Sequence, residues 1–178
     1  STTAMLDAVL RAAGRRVGLY TSPHLVRYEE RIRIDGLEIE PGPLVEAFER
    51  IERARGDVTL TFFEYATAAA LLSFAKAGVD AIVLEVGLGG RLDAVNAIDA
   101  DAAVVVSIGL DHCDYLGTTL EAIGREKAGI FRSGRPALYG STAMPASVAA
   151  HAAGIGAPLE RLGHEFGADV PVPGGPWT

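Results

Sequence analysis

Apolar residues recur along this chain in two rhythms, and the alternation between them lays out its elements. Over residues 2–13, Met5, Leu6, Val9 and Leu10 stand at helical spacing, and Gly14 stops the run. VGLYTS, from Val17 to Ser22, predicts a short strand that Pro23 ends. A loop follows, from His24 to about Glu30. Ile32, Ile34, Leu37 and Ile39 then alternate around Asp35-Gly36, a hairpin signal. Pro41 and Pro43 open a helix with Leu44, Val45, Phe48 and Ile51 on one face, and the alanine-rich stretch Thr61 to Ala77 predicts another, stopped by Gly78.

From residue 80 the pattern is that of an α/β chain. It predicts strands over 80–86, 101–108, 136–139 and about 157–162, with helices over 118–129 and 145–153. AIVLEV and AAVVVSI carry apolar residues on both faces, which suits a parallel sheet covered on both sides. Such sheets bind ligands at the carboxyl ends of their strands, where Glu85, Ser107 and Asp111-His112 fall. After Phe166 the chain is rich in glycine and proline and reads as a linker or tail over 167–178. Its start reads as cut, because a domain seldom opens inside a helix whose first amides nothing organises.

With 178 residues and 49% hydrophobic content, the chain can bury a full core, and its length suggests one domain. A single cysteine, Cys113, excludes an internal disulfide framework. The net charge of −7 and the lack of a dense basic run argue against a general nucleic-acid surface. No apolar run approaches the roughly 18 residues of a membrane span, and no signal peptide is seen, so the cytoplasm is the default. Arg27, Arg31 and Arg33 suit either an anionic ligand or the solvated rim of a strand.

Three polar residues on otherwise apolar segments carry the candidate chemistry. Glu85 follows four apolar residues, and an ionised carboxylate there must be paired, with Arg91 as one partner, or bind a cation. His112 follows Asp111 in a short loop and taken alone reads as a surface histidine. Lys127 falls four residues after Ile123 and seven after Leu120, on the face that these define with Ile130. An ammonium is disfavoured on a core-facing stripe, unless the lysine snorkels along it. Gly87, Gly89 and Gly90 leave room for backbone to lie against phosphate. Ser1 suits a helix N-cap, and equally the last position of a Walker-type phosphate loop.

STTAMLDAVLRAAGRRVGLYTSPHLVRYEERIRI, LTFFEYATA, LEVGLGGRLDAVN, SIGLDH and LGTTLEAIGREKAGIF resemble, in order and spacing, the dihydrofolate synthase/folylpolyglutamate synthase family, above all its bifunctional bacterial form. That family is one of the Mur-type ATP-dependent amide ligases. The resemblance runs from Ser1 to about Phe166. It implies a three-layer, Mur-ligase-like α/β ATPase domain over 1–166, with a mostly parallel central sheet and a P-loop type nucleotide site. It also implies that the phosphate loop before Ser1 and a C-terminal glutamate-ligase domain lie outside this chain, which alone would be inactive.

The implied activity joins L-glutamate to dihydropteroate and to tetrahydrofolate through an acyl phosphate, using ATP and Mg²⁺, in a cytoplasmic monomer. By the same resemblance Ser1 is the phosphate-loop hydroxyl that meets nucleotide and metal, Ser22 a second hydroxyl ligand, Glu85 the carboxylate serving the metals and His112 a ligand of the second ion. Lys127 matches a lysine carried as a carbamate. Thr61, Phe62, Phe63 and Glu64, with Leu92, Asp93 and Ala94, match segments that contact the pterin or pteroate substrate, Phe63 as a stacking ring and Asp93 as an acceptor. Val95 departs from the family pattern, standing where threonine is usual. Two rival readings stay open: a Mur-type ligase of cell-wall synthesis, against which TFFEY and SPHLVRYEERIRI speak, and a non-catalytic α/β module whose glycine loop merely fits an anion.

Overall fold

In the computed structural model, which describes residues 1–167, the strand VGLY (β1, Val17–Tyr20) is buried at every position because its alternate side chains serve two cores. Val17 and Leu19 meet Val83 and, from α1 (Thr2–Ala12), Leu10. Tyr20 faces the opposite way, into a larger cluster with Ile32, Leu44, Ile51, Ala66 and Phe74. Gly18 shares that second face, and a Cβ there would stand 2.5 Å from the Phe74 ring, so only glycine lets the helix pack this closely. The larger cluster draws on α2 (Pro41–Arg55) and α3 (Phe62–Ala77). This first unit, Ser1–Leu88 with Asp93–Ala97, is therefore itself three layers: α1, a sheet, and the α2–α3 pair.

The sheet has the order β3-β2-β1-β4, with β2 at Ile32–Ile34, β3 at Leu37–Glu38 and β4 at Ala81–Leu84. β1 pairs with β4 in parallel and with β2 antiparallel. The hairpin turns where expected, at Asp35 (φ 53°) and Gly36 (φ 84°), the two positive φ values that the tightest hairpin turns require. Asp35 also accepts the Val17 N–H at 2.8 Å, tying the turn to the start of β1. At the head of α3, Thr61 and Glu64 form a capping box, and Gly78 ends the helix in the left-handed conformation.

The second unit comprises Gly89–Leu92 and the chain from Ile98. Its strands β5 (Ala103–Val105), β6 (Ala137–Tyr139) and β7 (Leu159–Arg161) form an all-parallel sheet in that order. The connections pass through a short α4 (Cys113–Leu116), α5 (Leu120–Ala128) and α6 (Ala146–Ile155). Val105, Phe131, Tyr139, Val148 and Ala152 make its core. Glu121 of α5 accepts the Ala146 and Ser147 N–H groups at 3.0 and 2.7 Å, so one helix satisfies the free amides at the head of the next. Those bonds hold its carboxyl below the ordinary glutamate range.

Several expectations are corrected. The strands form two sheets, one mixed and one parallel, where the sequence predicts one mostly parallel sheet. β1 and β4 end earlier than predicted, because the Ser22 N–H goes to the Glu85 side chain and that of Gly87 to Asp93 instead of to a neighbouring strand. α4 and a 3-10 turn at Tyr28–Arg31 fall where the sequence predicts loop, since segments so short carry no periodicity. Leu120 is 45% exposed rather than part of a buried face, sitting in the first turn of α5. Met5 and Val9 of α1 are also exposed; Leu10 alone of that run packs on the small core. The expected tail lies, from residue 168, outside the described residues.

Candidate active site

Parallel pairing sets Tyr20 beside Leu84, so the carboxyl ends of β1 and β4 deliver their next residues to one place. Glu85 donates its N–H to Tyr20 O at 2.9 Å, and its Oε2 accepts the Ser22 N–H at 3.0 Å. The Ser22–Pro23 peptide is cis. Glu85 is half-buried, and no cationic side chain among the described residues forms an ion pair with it; Arg91 pairs with Glu126 at 3.1 Å. One carboxylate oxygen is thus held, and the other makes no hydrogen bond among the described residues. A carboxylate beside a hydroxyl is a hard-oxygen donor set that fits Mg²⁺. Among the described residues no three His, Cys, Asp or Glu side chains gather in a metal-holding cluster, so phosphate oxygens and water must complete any such shell. Ser1 is exposed, and its hydroxyl bonds to Thr3 at 2.9 Å and caps nothing.

Phe63 and Asp93 come together at Gly87. The Phe63 ring lies so close that a Cβ on Gly87 would stand 2.6 Å from it, and it also meets Tyr20, with ring centroids 5.9 Å apart. Asp93 Oδ2 accepts the Gly87 and Leu88 N–H groups at 3.0 and 2.9 Å, and Oδ1 accepts from Val95 at 3.0 Å. This corrects the expected role of the glycines. The amides of Gly87 and Leu88 point at Asp93 rather than at an open phosphate cradle, and Gly87 is required for contact with an aromatic ring. Asp93 is thereby a clamp on the loop, with spare lone pairs for a further donor. Thr61 and Glu64 are engaged in their capping box, Phe62 is 61% exposed, and Ala94 opens a 3-10 turn over Ala94–Ala97.

In the second unit, His112 is exposed and takes a left-handed backbone (φ 52°) as the residue before α4. Its N–H bonds to Asp111 Oδ1 at 2.8 Å, and its Nε2 lies 3.6 Å from Oδ2. A non-glycine residue held at positive φ is uncommon and recurs at functional positions. Lys127 is half-buried in the last turn of α5. The glycine segment docks beside it: Arg91 N–H bonds to Glu126 O at 2.9 Å, and a Cβ on Gly90 would lie 3.0 Å from the carbonyls of Glu126 and Lys127. Leu92, at the end of that segment, is 81% exposed.

The three arginines considered together part company. Arg27 and Arg33 pair with Glu38 at 2.5 and 3.2 Å on the rim. Arg31 is buried, donating from Nε to His24 Nδ1 at 2.8 Å, with Tyr28 and Phe62 rings against its guanidinium. Beside it Tyr20 Oη and Thr67 Oγ1 are buried and have no hydrogen-bond partner among the described residues. Burial raises the Tyr20 hydroxyl above its usual range and pushes that of Tyr28 up to about 12. The sequence held one signal of this cluster, an arginine interrupting the approach to an apolar strand.

Residues 1–140 match the Mur ligase middle domain. The chain is 54% identical over 170 residues to the dihydrofolate synthase/folylpolyglutamate synthase of Escherichia coli, covering 96% of this chain and 40% of that protein. A solved structure of E. coli FolC in complex with DHPP and ADP superimposes with a TM-score of 0.94 at 54% identity, over 95% of this chain and 41% of that one. The Yersinia pestis bifunctional folylpolyglutamate synthase/dihydrofolate synthase, complexed with AMPPNP and Mn, gives a TM-score of 0.89 at 52% identity, over 92% and 40% of the two chains. The chain therefore spans well under half the length of these relatives. It belongs to the Mur ligase middle domain family, in the dihydrofolate synthase/folylpolyglutamate synthase branch.

Proposed function

We propose that this chain is the central ATP-handling domain, over 1–166, of a cytoplasmic, monomeric ligase that joins L-glutamate to dihydropteroate and to tetrahydrofolate. The observation that carries the reading is the 54% identity, over nearly the whole chain, to an enzyme named for both activities. The substrate carboxylate takes the γ-phosphoryl group of ATP, giving an acyl phosphate and ADP; the glutamate amine then attacks the acyl carbon, phosphate leaves, and the amine proton is lost. Ser22 and Glu85 would hold a magnesium ion, with Ser1 at the nucleotide phosphates; His112 would be a ligand of a second ion, and Lys127 would be carried as a carbamate. Bound Mg²⁺ neutralises phosphate charge during transfer. Phe63, Asp93 and the Thr61–Glu64 turn, with Phe62, Leu92 and Ala94, hold the pteridine end of the substrate.

The test is turnover by the full-length protein. ATP-dependent attachment of labelled glutamate to dihydropteroate and to tetrahydrofolate, abolished by EDTA and restored by Mg²⁺, is the expected result. Turnover with a cell-wall nucleotide precursor in place of a folate would move the chain to the neighbouring Mur ligases. ATP and metal binding without any ligation would leave only a binding module.

A further inference from the structure

Arg31 is an expensive residue in its position. It is 7% exposed, and among the described residues no carboxylate pairs with its guanidinium. Its compensation is spread instead over three contacts. Nε–H donates to His24 Nδ1 at 2.8 Å, and the guanidinium carbon lies 5.6 Å from the Tyr28 ring and 5.2 Å from that of Phe62. A cation on an aromatic face is stabilised by the ring quadrupole, and a neutral imidazole nitrogen accepts one bond. Neither matches a buried carboxylate, and an apolar side chain would fill the volume at lower cost. What Arg31 supplies that an apolar residue does not is directed contact with separate segments.

Those segments are the ones that bear the candidate site. His24 lies two residues after Ser22, in the loop that leaves β1, and the Thr21 N–H bonds to the Arg31 carbonyl at 2.9 Å. Phe62 is the first residue of α3, between Thr61 and Phe63. We infer that Arg31 is a positioning residue for the ligase reaction, holding the metal-bearing Ser22 loop and the substrate-bearing Thr61–Glu64 turn at a fixed separation. This rests on the reading of Ser22 and Phe63 given above. Its chemistry is geometric: the guanidinium Nε–H donates to His24 Nδ1, which orients the loop, and the Phe62 ring caps the guanidinium from the other element. Arg31 itself touches neither metal nor substrate.

The experiment compares full-length wild-type protein with Arg31→Ala, Arg31→Lys and His24→Ala variants. Three quantities are read: Mn²⁺ affinity by electron paramagnetic resonance with a non-hydrolysable ATP analogue, the KM for dihydropteroate, and the melting temperature. Loss of an orienting group behind a metal ligand weakens metal binding by about 10- to 100-fold. His24→Ala is expected to show that loss with little change in KM, because it cuts only the tie to the Ser22 loop. Arg31→Ala is expected to show it together with a raised KM, and millimolar guanidinium to restore both in part. Arg31→Lys keeps the charge but not the planar fork and should fall between.

Variants that melt lower yet bind Mn²⁺ and dihydropteroate as wild type would overturn the inference and leave Arg31 as core packing alone. Should Arg31→Ala not fold, His24→Ala and Arg31→Lys decide by the same readouts. Wild-type protein that binds Mn²⁺ but does not ligate glutamate would instead strike the functional reading, while the affinities of the variants would still test the link between Arg31 and the Ser22 loop.

Discussion

Asp93 is the residue whose meaning changed most between sequence and structure. A carboxylate in a family substrate segment suggests contact with pterin nitrogens, yet three backbone amides already bond to it. We expect Asp93→Ala to lower stability in thermal unfolding by about 1 to 3 kcal/mol, the cost of unpairing amides, and to weaken dihydropteroate use as well. Asp93→Asn retains an acceptor and should lose less stability. A substrate defect with an unchanged melting point would show that the loop clamp is dispensable. Val95, next to it, is buried in the α2–α3 core, where a methyl packs and the hydroxyl of the usual threonine would need an acceptor. Lys127 stands apart, half-buried beside the docked glycines. The proposed carbamate would form by addition of a lysine amine to CO₂ with release of a proton. With ¹³C-bicarbonate, a carbamate carbon signal is expected in the full-length enzyme and absent in Lys127→Ala, whose lost activity small added carboxylates should partly restore. No such signal would mean a plain lysine.

Among the elements, the loop after β1 is irregular yet tied by side-chain hydrogen bonds. Glu30 accepts the N–H groups of Leu25, Val26 and Arg27 at 2.8, 2.8 and 2.6 Å, and these bonds pull its carboxyl from 4.5 to about 2. Because the folded value lies below the unfolded one, the ionised form favours the ordered loop; its contribution is complete above about pH 4.5 and fades as pH falls toward 2. Amide exchange at Leu25 to Arg27, corrected for intrinsic rates, is therefore expected to become less protected over that window, and Glu30→Gln to show weak protection at every pH. Identical protection in the variant would assign the loop's order to Arg31 and His24 instead. The capping box of α3 shows the opposite case, since Thr61 and Glu64 stand three apart and announce the helix start without any tertiary contact.

At the scale of the molecule, each unit has its own core and its own sheet, and the glycine segment passes from one to the other within a few residues. What the sequence by itself determined were the elements and their chemistry: the hairpin at Asp35-Gly36, the helices opened by Pro41 and Thr61, the short apolar strands, and Glu85 at a strand's carboxyl end. These follow from local rules of periodicity, capping and turn geometry acting over a few residues. Tertiary structure alone decided that two sheets form, that Glu85 reaches the amide of Ser22 across 63 positions, that Asp93 takes the amides of Gly87 and Leu88, and that Arg31 rather than Arg27 or Arg33 is buried. Strand pairing and close packing set those partners. Neither leaves a local pattern, because the same glycine, aspartate or arginine reads identically whether its partner is solvent or another segment of the chain.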